Sequence, residues 1–174
     1  MPGVYTSVMR GVHNQTGDGV IETFDLQGPD TQLYIAAAGT RGKVLQGDGA
    51  LISGVILIGY APITMLIRTL GPSLTQAGLP GALPDPYLYL VNANGETIAA
   101  NDNWFDNPAK DAIIATGLAP ADDLEPALLI SLFPATYTAV ATGFAGDTGL
   151  AFTQVYSLAF PPWELDPAPK VRGR

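Results

Sequence analysis

Oxygen-bearing side chains cluster between residues 92 and 106, in the sequence NANGETIAANDNWFD. Carboxylates and side-chain amides are ligands that calcium prefers, and the ion takes about six to eight oxygens. Asn101, Asp102 and Asp106 are therefore the predicted calcium ligands. Asn and Asp are also common turn residues, because their side chains hydrogen-bond to nearby backbone. A purely structural turn is the alternative interpretation of this stretch.

Residues suited to covalent catalysis are scarce in the sequence. The chain has no cysteine, and its one histidine, His13, lies in the turn-like sequence GVHNQTG. A catalytic histidine needs a nucleophile and an orienting partner, and neither accompanies His13. Nucleophile-elbow, phosphate-loop and dinucleotide motifs are missing as well. We expect a protein that is not an enzyme, with no catalytic residues and no cofactor besides the calcium considered above.

A charged residue interrupts an apolar stretch at Arg68, in the sequence ITMLIRTL. A charge within a buried strand needs a partner or an edge position. Glu125, in DDLEPALLI, stands at the start of another predicted strand and is the expected partner. The sequence thus predicts a structural ion pair between Arg68 and Glu125.

The composition limits the classes of partner. The chain has 174 residues and a net charge of −8, with only 14% charged residues. Nucleic-acid binding needs a basic surface, which this composition does not supply. The longest apolar stretch, residues 50–68, is interrupted by Gly54, Gly59 and Pro62, so it predicts strands rather than a membrane helix. We expect neither nucleic-acid binding nor membrane insertion.

The elements that must position these residues are mostly short strands. Apolar and β-branched runs separated by Gly, Asn and Pro turns predict strands, here at residues 32–37, 42–46, 50–59, 63–70, 87–91, 97–100 and 127–132. Short helices are predicted near Ser73 and at residues 108–116. This pattern predicts an all-β fold, an antiparallel, jelly-roll-like β-sandwich with one or two short helices in its connections.

An internal repeat is the strongest feature of the sequence. Residues 2–26 align without a gap on residues 134–158, at an offset of 132, with eight of 25 positions identical. Each copy is predicted to form a β-hairpin, and a lone hairpin is marginally stable in water. The N-terminal copy must therefore dock, either within its own chain or on a neighbouring subunit. The side chains expected to mediate assembly are Tyr5, Val8, Val20, Phe24 and Leu26.

Three motifs carry a resemblance to a known family: LIRTLGPSL at residues 66–74, NDNW at 101–104, and PATYT at 134–138 followed by TG at 148–149. The chain resembles a module that recurs in tandem in large secreted bacterial surface proteins, with the pattern LIRALGPSL…NDNW…PGAYT…TG. It is also similar to the bacterial pre-peptidase C-terminal domain. The resemblance implies a small non-catalytic β-sandwich at an extracellular or cell-surface location. Some relatives of the pre-peptidase type bind calcium or polymeric substrates, and Asn101 and Asp102 match their acidic turn.

The resemblance also suggests how the chain is divided. Residues 1–26 are predicted to be an N-terminal β-hairpin that repeats the last hairpin of the module, residues 32–158 the β-sandwich module, and residues 159–174 a proline-rich extended tail. The first ten residues lack the basic start and apolar middle of a signal peptide. In this division, the last hairpin of one module precedes a complete second module.

Two functions agree with these observations. The first is a structural subunit that associates with itself head to tail, as a filament or tandem array, through strand or hairpin complementation. The alternative is a calcium-assisted polysaccharide-binding or adhesion module of a secreted protein. Its sugar-stacking side chains would be Tyr87, Tyr89, Trp104 and Trp163.

Overall fold

The computed structural model describes residues 3–25 and 35–158. These residues belong to two compact units, which we describe separately: residues 3–25 with Ile35, and residues 36–158. The predicted tail, Trp163, Leu26 and most of the strand predicted at residues 32–37 lie outside the described residues.

Eight strands build the second unit, and they confirm the predicted antiparallel β-sandwich. They are β1 (Ala37–Val44), β2 (Leu51–Ile56), β3 (Ile63–Leu70), β4 (Pro86–Asn92), β5 (Thr97–Asn101), β6 (Ala127–Leu132), β7 (Thr136–Gly143) and β8 (Gly149–Ser157). The residues of β2 are alternately buried and exposed, as expected for a strand with one face on a core. The sequence prediction of β3 and β6 agrees with the structure residue for residue.

The helices of the described residues are short and lie in connections. They are α1 (Pro72–Gln76) and α2 (Lys110–Ala115), with one-turn 3-10 helices at Trp104–Asp106 and Phe144–Gly146 in the same unit. Both α-helices fall where the sequence predicts helix. Within residues 3–25 and 35–158, helices with the length and hydropathy needed to cross a membrane are absent.

The strand order is that of a jelly roll. The first sheet has the order β1-β8-β3-β6 and the second has the order β2-β7-β4-β5. The pairs β1–β8, β2–β7, β3–β6 and β4–β5 are all antiparallel. The chain therefore follows the path of one long hairpin of four strand pairs, rolled into two facing sheets.

The core fills the space between the two sheets, and a second apolar cluster lies outside it. Ile67 and Leu90, both fully buried, belong to the cluster between the sheets. Leu66, on the other face of β3, packs with Trp104 and Ile113 beneath α2. The first sheet is thus covered on both faces around β3 and β6, whereas the second sheet exposes apolar side chains such as Ile52, Ile56 and Ile98.

The prediction that residues 134–158 form a hairpin is wrong. β7 pairs with β2 and β4, whereas β8 pairs with β1 and β3, so the two arms lie in different sheets. The glycine-rich link between them crosses the end of the sandwich instead of closing a two-stranded turn. We call residues 136–157 the C-terminal arch.

The N-terminal copy of the repeat has a different environment. Residues 3–25 are all exposed, and the structure assigns no strand to them. Their one regular element is a one-turn 3-10 helix at Val12–Asn14. The hairpin predicted for residues 1–26 is therefore not formed in the described part of this segment.

Candidate functional site

The turn of the C-terminal arch has an unusual geometry. Gly143 comes so close to the backbone that a Cβ there would lie 1.9 Å from the carbonyl oxygen of Asp147. Ala145 adopts a φ of 52°, in the left-handed region that non-glycine residues rarely occupy. The turn is closed by the amide of Asp147, which donates to the carbonyl oxygen of Phe144 at 3.0 Å.

Residues 3–25 contain the same turn, 132 positions earlier. A Cβ at Gly11 would lie 1.9 Å from the carbonyl oxygen of Gln15. His13 has a φ of 54°, and the amide of Gln15 donates to the carbonyl oxygen of Val12 at 3.2 Å. His13 corresponds to Ala145 and has nearly the same φ. We call residues 3–25 the N-terminal arch.

The two arms of the N-terminal arch contact each other on their inner side. A Cβ at Gly19 would lie 2.2 Å from Cε of Met9, so this methionine covers the glycine. The corresponding residues of the C-terminal arch are Ala141 and Ala151, which belong to one buried cluster. In the N-terminal arch, the large Met9 therefore faces the small Gly19, where the C-terminal arch has two alanines. The total side-chain volume between the two arms changes little.

The apolar side chains of the N-terminal arch face solvent. Tyr5 is 80% exposed and Val8 is 69% exposed, whereas the corresponding Tyr137 and Val140 are each 8% exposed. Val20 and Phe24 are also largely exposed. The four described residues predicted to mediate assembly are therefore exposed, whereas their equivalents in the C-terminal arch are buried at Tyr137 and Val140 and half-buried at Phe152 and Tyr156.

Two of the strands that flank the C-terminal arch, β1 and β2, are open on their other side. Within the described residues, β1 ends the first sheet and β2 ends the second. A Cβ at Gly42 of β1 would lie 2.9 Å from Cδ1 of Leu51 in β2, so both open edges are on the same side of the sandwich. The edge of β1 bears exposed Arg41 and Lys43, whereas β2 contains no charged residue.

The three predicted calcium ligands lie along one surface cavity of about 390 Å³. The side chain of Asn101 is occupied by the fold, because its Nδ2 donates to the carbonyl oxygen of Asn103 and its Oδ1 accepts from the amide of Ala127. Asp106 is exposed. The structure therefore brings the predicted ligands together, but it gives Asn101 the role of a turn residue.

Asp102 is half-buried, whereas Asp106 is exposed. Its Oδ1 is buried and has no hydrogen-bond partner among the described residues, and burial raises the pKa of this carboxyl. Burial also raises the pKa of Asp85, with smaller contributions from the negative charges of Asp102 and Asp147. The sequence did not single out Asp85, because it lies more than ten residues away along the chain. Groups of three or more acidic or histidine residues arranged to hold a metal do not occur among residues 3–25 and 35–158.

The predicted ion pair between Arg68 and Glu125 is wrong. Nε of Arg68 donates to Oε1 of Gln154 at 2.9 Å, and Nη2 donates to the hydroxyl of Tyr156 at 3.1 Å. Nη1 donates to the carbonyl oxygen of Leu118. Arg68 thus fixes the connection after α2 against the outer face of the first sheet, using polar groups rather than a carboxylate.

Glu125 is fully buried, and it binds the start of α1 instead. Its Oε1 accepts from the amide of Gly71 at 2.8 Å, from the amide of Ser73 at 2.9 Å and from the hydroxyl of Ser73 at 2.6 Å. The first amides of a helix lack partners within it, and a carboxylate satisfies them well. Glu125 is therefore a structural residue, as expected, but with a different partner.

The aromatic residues considered for sugar binding separate into two groups. Trp104 is buried, and its Nε1 donates to the carbonyl oxygen of Asp122 at 2.9 Å, so it is a core residue. Tyr87 and Tyr89 alternate along β4 with the buried Leu88 and Leu90, and so lie on the outer face of the second sheet. Their ring centroids are 6.2 Å apart.

Comparison with known proteins adds no family to these observations: no family model matches the chain, and a search of curated proteins found no match. The resemblance to tandem surface-protein modules and to the pre-peptidase C-terminal domain therefore stays a prediction. The functions considered for this protein rest on its jelly-roll fold and its two arches.

Proposed function

We propose that this protein is a non-catalytic extracellular structural subunit that assembles head to tail, as a filament or tandem array, by strand complementation through its N-terminal arch. The observation that carries this proposal is the recurrence of the arch turn in residues 3–25, outside any sheet of the described structure. A segment that has the turn of the two central strands of the sandwich, but is assigned no strand of its own, can pair with another sheet.

Burial of the exposed apolar side chains would drive the assembly. Val4, Val8, Val20 and Phe24 are each more than half exposed. Complete burial of such a side chain stabilises by about 1.5–3 kcal/mol, and partial burial against a neighbouring strand by a fraction of that, against the cost of ordering the segment. An added strand also gains main-chain hydrogen bonds, which supply affinity in this mode of recognition. Contacts between two different surfaces, repeated from one copy to the next, produce rings or filaments.

Deletion of residues 1–26 tests the proposal. We expect the full chain to form large species in static light scattering, and the deletion variant to remain monomeric. The sandwich has its own core, so the deletion variant should still unfold in one cooperative thermal transition. His13→Ala is the matched control, because the equivalent residue is Ala145, and it should leave assembly unchanged. Equal particle size with and without residues 1–26 would overturn the proposal.

The outer face of the second sheet favours one alternative function. Tyr87 and Tyr89 lie side by side there, at a centroid distance of 6.2 Å. Aromatic faces stack on sugar rings, so a calcium-assisted polysaccharide-binding or adhesion module would use this face. Retardation in gels containing polysaccharide, with calcium or with a chelator, tests it. Loss of retardation in Tyr89→Ala would support this alternative, and equal migration in gels with and without polysaccharide would exclude it.

A further inference from the structure

The repeat places two arches in a chain that has one central position for an arch. The C-terminal arch occupies that position, between β1 and β3 in one sheet and between β2 and β4 in the other. The N-terminal arch of a second copy therefore has to pair elsewhere while this sandwich stays intact. On the side next to the C-terminal arch, the open edges are those of β1 and β2.

The geometry of an arch matches this pair of edges. In the sandwich, the first arm of the C-terminal arch pairs with β2 and the second arm pairs with β1, both antiparallel. β1 and β2 each have a second edge, on the side away from the C-terminal arch, that can pair with another strand. A second arch with the same turn can lie there with its first arm along β2 and its second arm along β1, which would lengthen each sheet by one strand.

The first arm matches β2 in polarity. Residues 4–9, VYTSVM, and residues 51–56 of β2, LISGVI, contain no charged side chain. Natural edge strands usually carry charges or proline that prevent pairing with another chain, and β2 has neither. Ile52 and Ile56, both more than half exposed, would meet the apolar side chains of the first arm.

The second arm matches β1 in charge. It carries Asp18 and Glu22, and β1 carries Arg41 and Lys43. Phe152 lies opposite Arg41 and Leu150 lies opposite Lys43 in the β1–β8 pair. If the second arm takes the same register on the outer edge, Asp18 comes opposite Lys43, and Glu22 comes diagonal to Arg41. Opposite charges at such cross-strand positions stabilise pairing.

We propose that the N-terminal arch of a second copy adds to the open edges of β1 and β2, its uncharged arm beside β2 and its acidic arm beside β1. This inference rests on the proposed function and names the acceptor surface. The opposite side of the sandwich is a poorer acceptor, because its edge strands β5 and β6 contain no basic residue that could pair with an acidic arm.

Charge reversal on β1 tests the inference in the full chain. Arg41→Glu with Lys43→Glu alters two exposed side chains, so the Tm should change little. We expect the dissociation constant of assembly, from concentration-dependent light scattering, to rise about tenfold, because attractive pairs become repulsive ones. Adding Asp18→Lys and Glu22→Lys to the same chain should restore assembly. An unchanged dissociation constant, or loss without rescue, would overturn the inference.

A second pair of variants tests the β2 edge. Ile56→Lys places a charge on the proposed acceptor edge and should weaken assembly. Ile98→Lys places a charge on β5, at the other edge of the same sheet, and should leave assembly unchanged. Equal effects of the two variants would contradict the proposed position.

The failure of this inference is distinguishable from the failure of the proposed function. If deletion of residues 1–26 abolishes assembly while the β1 and β2 variants assemble normally, the arch mediates assembly through another surface and only the inference is wrong. If the deletion leaves assembly unchanged, the function itself is wrong.

Discussion

The repeated turn allows the same glycine-to-alanine substitution to be made at two equivalent positions, Gly143 and Gly11, with different expected effects on stability. Gly143→Ala introduces a Cβ that would lie 1.9 Å from the carbonyl oxygen of Asp147. Because that atom belongs to the backbone, a rotamer change cannot relieve the clash, and the turn itself must open. The φ and ψ of Gly143, −87° and 136°, suit alanine, so the cost comes from the close approach alone.

The cost of Gly143→Ala follows from two contributions. Inserting a carbon into a packed region costs about 1–3 kcal/mol. Opening the turn also weakens the hydrogen bond from the Asp147 amide to the Phe144 carbonyl oxygen, with a net loss of about 1 kcal/mol. The free energy of unfolding should thus fall by about 2–4 kcal/mol, which corresponds to a Tm lower by about 10 °C in a domain of this size.

Gly11→Ala is the matched variant, since it produces the same 1.9 Å approach in the N-terminal arch, to Gln15. That arch belongs to the other compact unit. At a protein concentration too low for assembly, the Tm should therefore stay within about 1 °C of the unaltered protein, while assembly at higher concentration weakens because the turn no longer holds the two arms. Thermal unfolding by circular dichroism at low concentration and light scattering at high concentration measure the two effects. An equal fall in Tm for the two variants would contradict the separation of the N-terminal arch from the sandwich core, and no fall for Gly143→Ala would contradict the predicted clash.

Four further predictions concern the sandwich. The buried hydroxyls of Thr69 and Thr153 are 3.0 Å apart. Thr69→Val should therefore lower the free energy of unfolding by about 1–3 kcal/mol in urea titrations, and the double change to valine should cost less than the two single changes together. Burial raises the pKa of Asp102, so its ionised form is less favourable in the folded than in the unfolded state. Asp102→Asn should raise the Tm at pH 7, with the difference vanishing at pH values below the ordinary carboxyl range; a lower Tm at pH 7 would contradict this. If the predicted calcium site binds, millimolar calcium raises the Tm of the unaltered protein and not of Asp102→Asn. Arg68→Lys should lower the free energy of unfolding by about 1–2 kcal/mol, because lysine cannot replace the guanidinium fork; an unchanged urea midpoint would contradict that role.

Local patterns in the sequence were sufficient to predict the fold class and most strands. The runs at β3 and β6 are strongly apolar and bounded by proline, glycine or acidic turns, so their limits match the structure. The repeat predicted that residues 2–26 and 134–158 form the same element; the predicted hairpin is wrong, but the turns at residues 11–15 and 143–147 share one geometry. Each of these inferences depends on residues close together in the chain.

The sequence could not show which strands pair across long separations. A glycine-rich link such as residues 143–149 is compatible with a hairpin and with a crossing between sheets, and the choice depends on the partners β1 to β4. The partner of Arg68 was missed for the same reason, since Gln154 and Tyr156 are neighbours only after β8 pairs with β3. Trp104 was considered as a sugar-stacking side chain for the same reason. It is buried because it packs with Leu66 of β3 and Ile113 of α2, which are distant in the sequence.

The most direct test of the assembly model is a disulfide between two copies, which is easily read because the chain has no cysteine of its own. One variant carries Asp18→Cys and the other carries Lys43→Cys, and the two are mixed under mild oxidation. The model predicts a dimer of the two variants on a non-reducing gel, because residue 18 of the added strand lies opposite residue 43 of β1 in the other copy. No such dimer, or an equal yield when the second variant is Ile98→Cys, would contradict it.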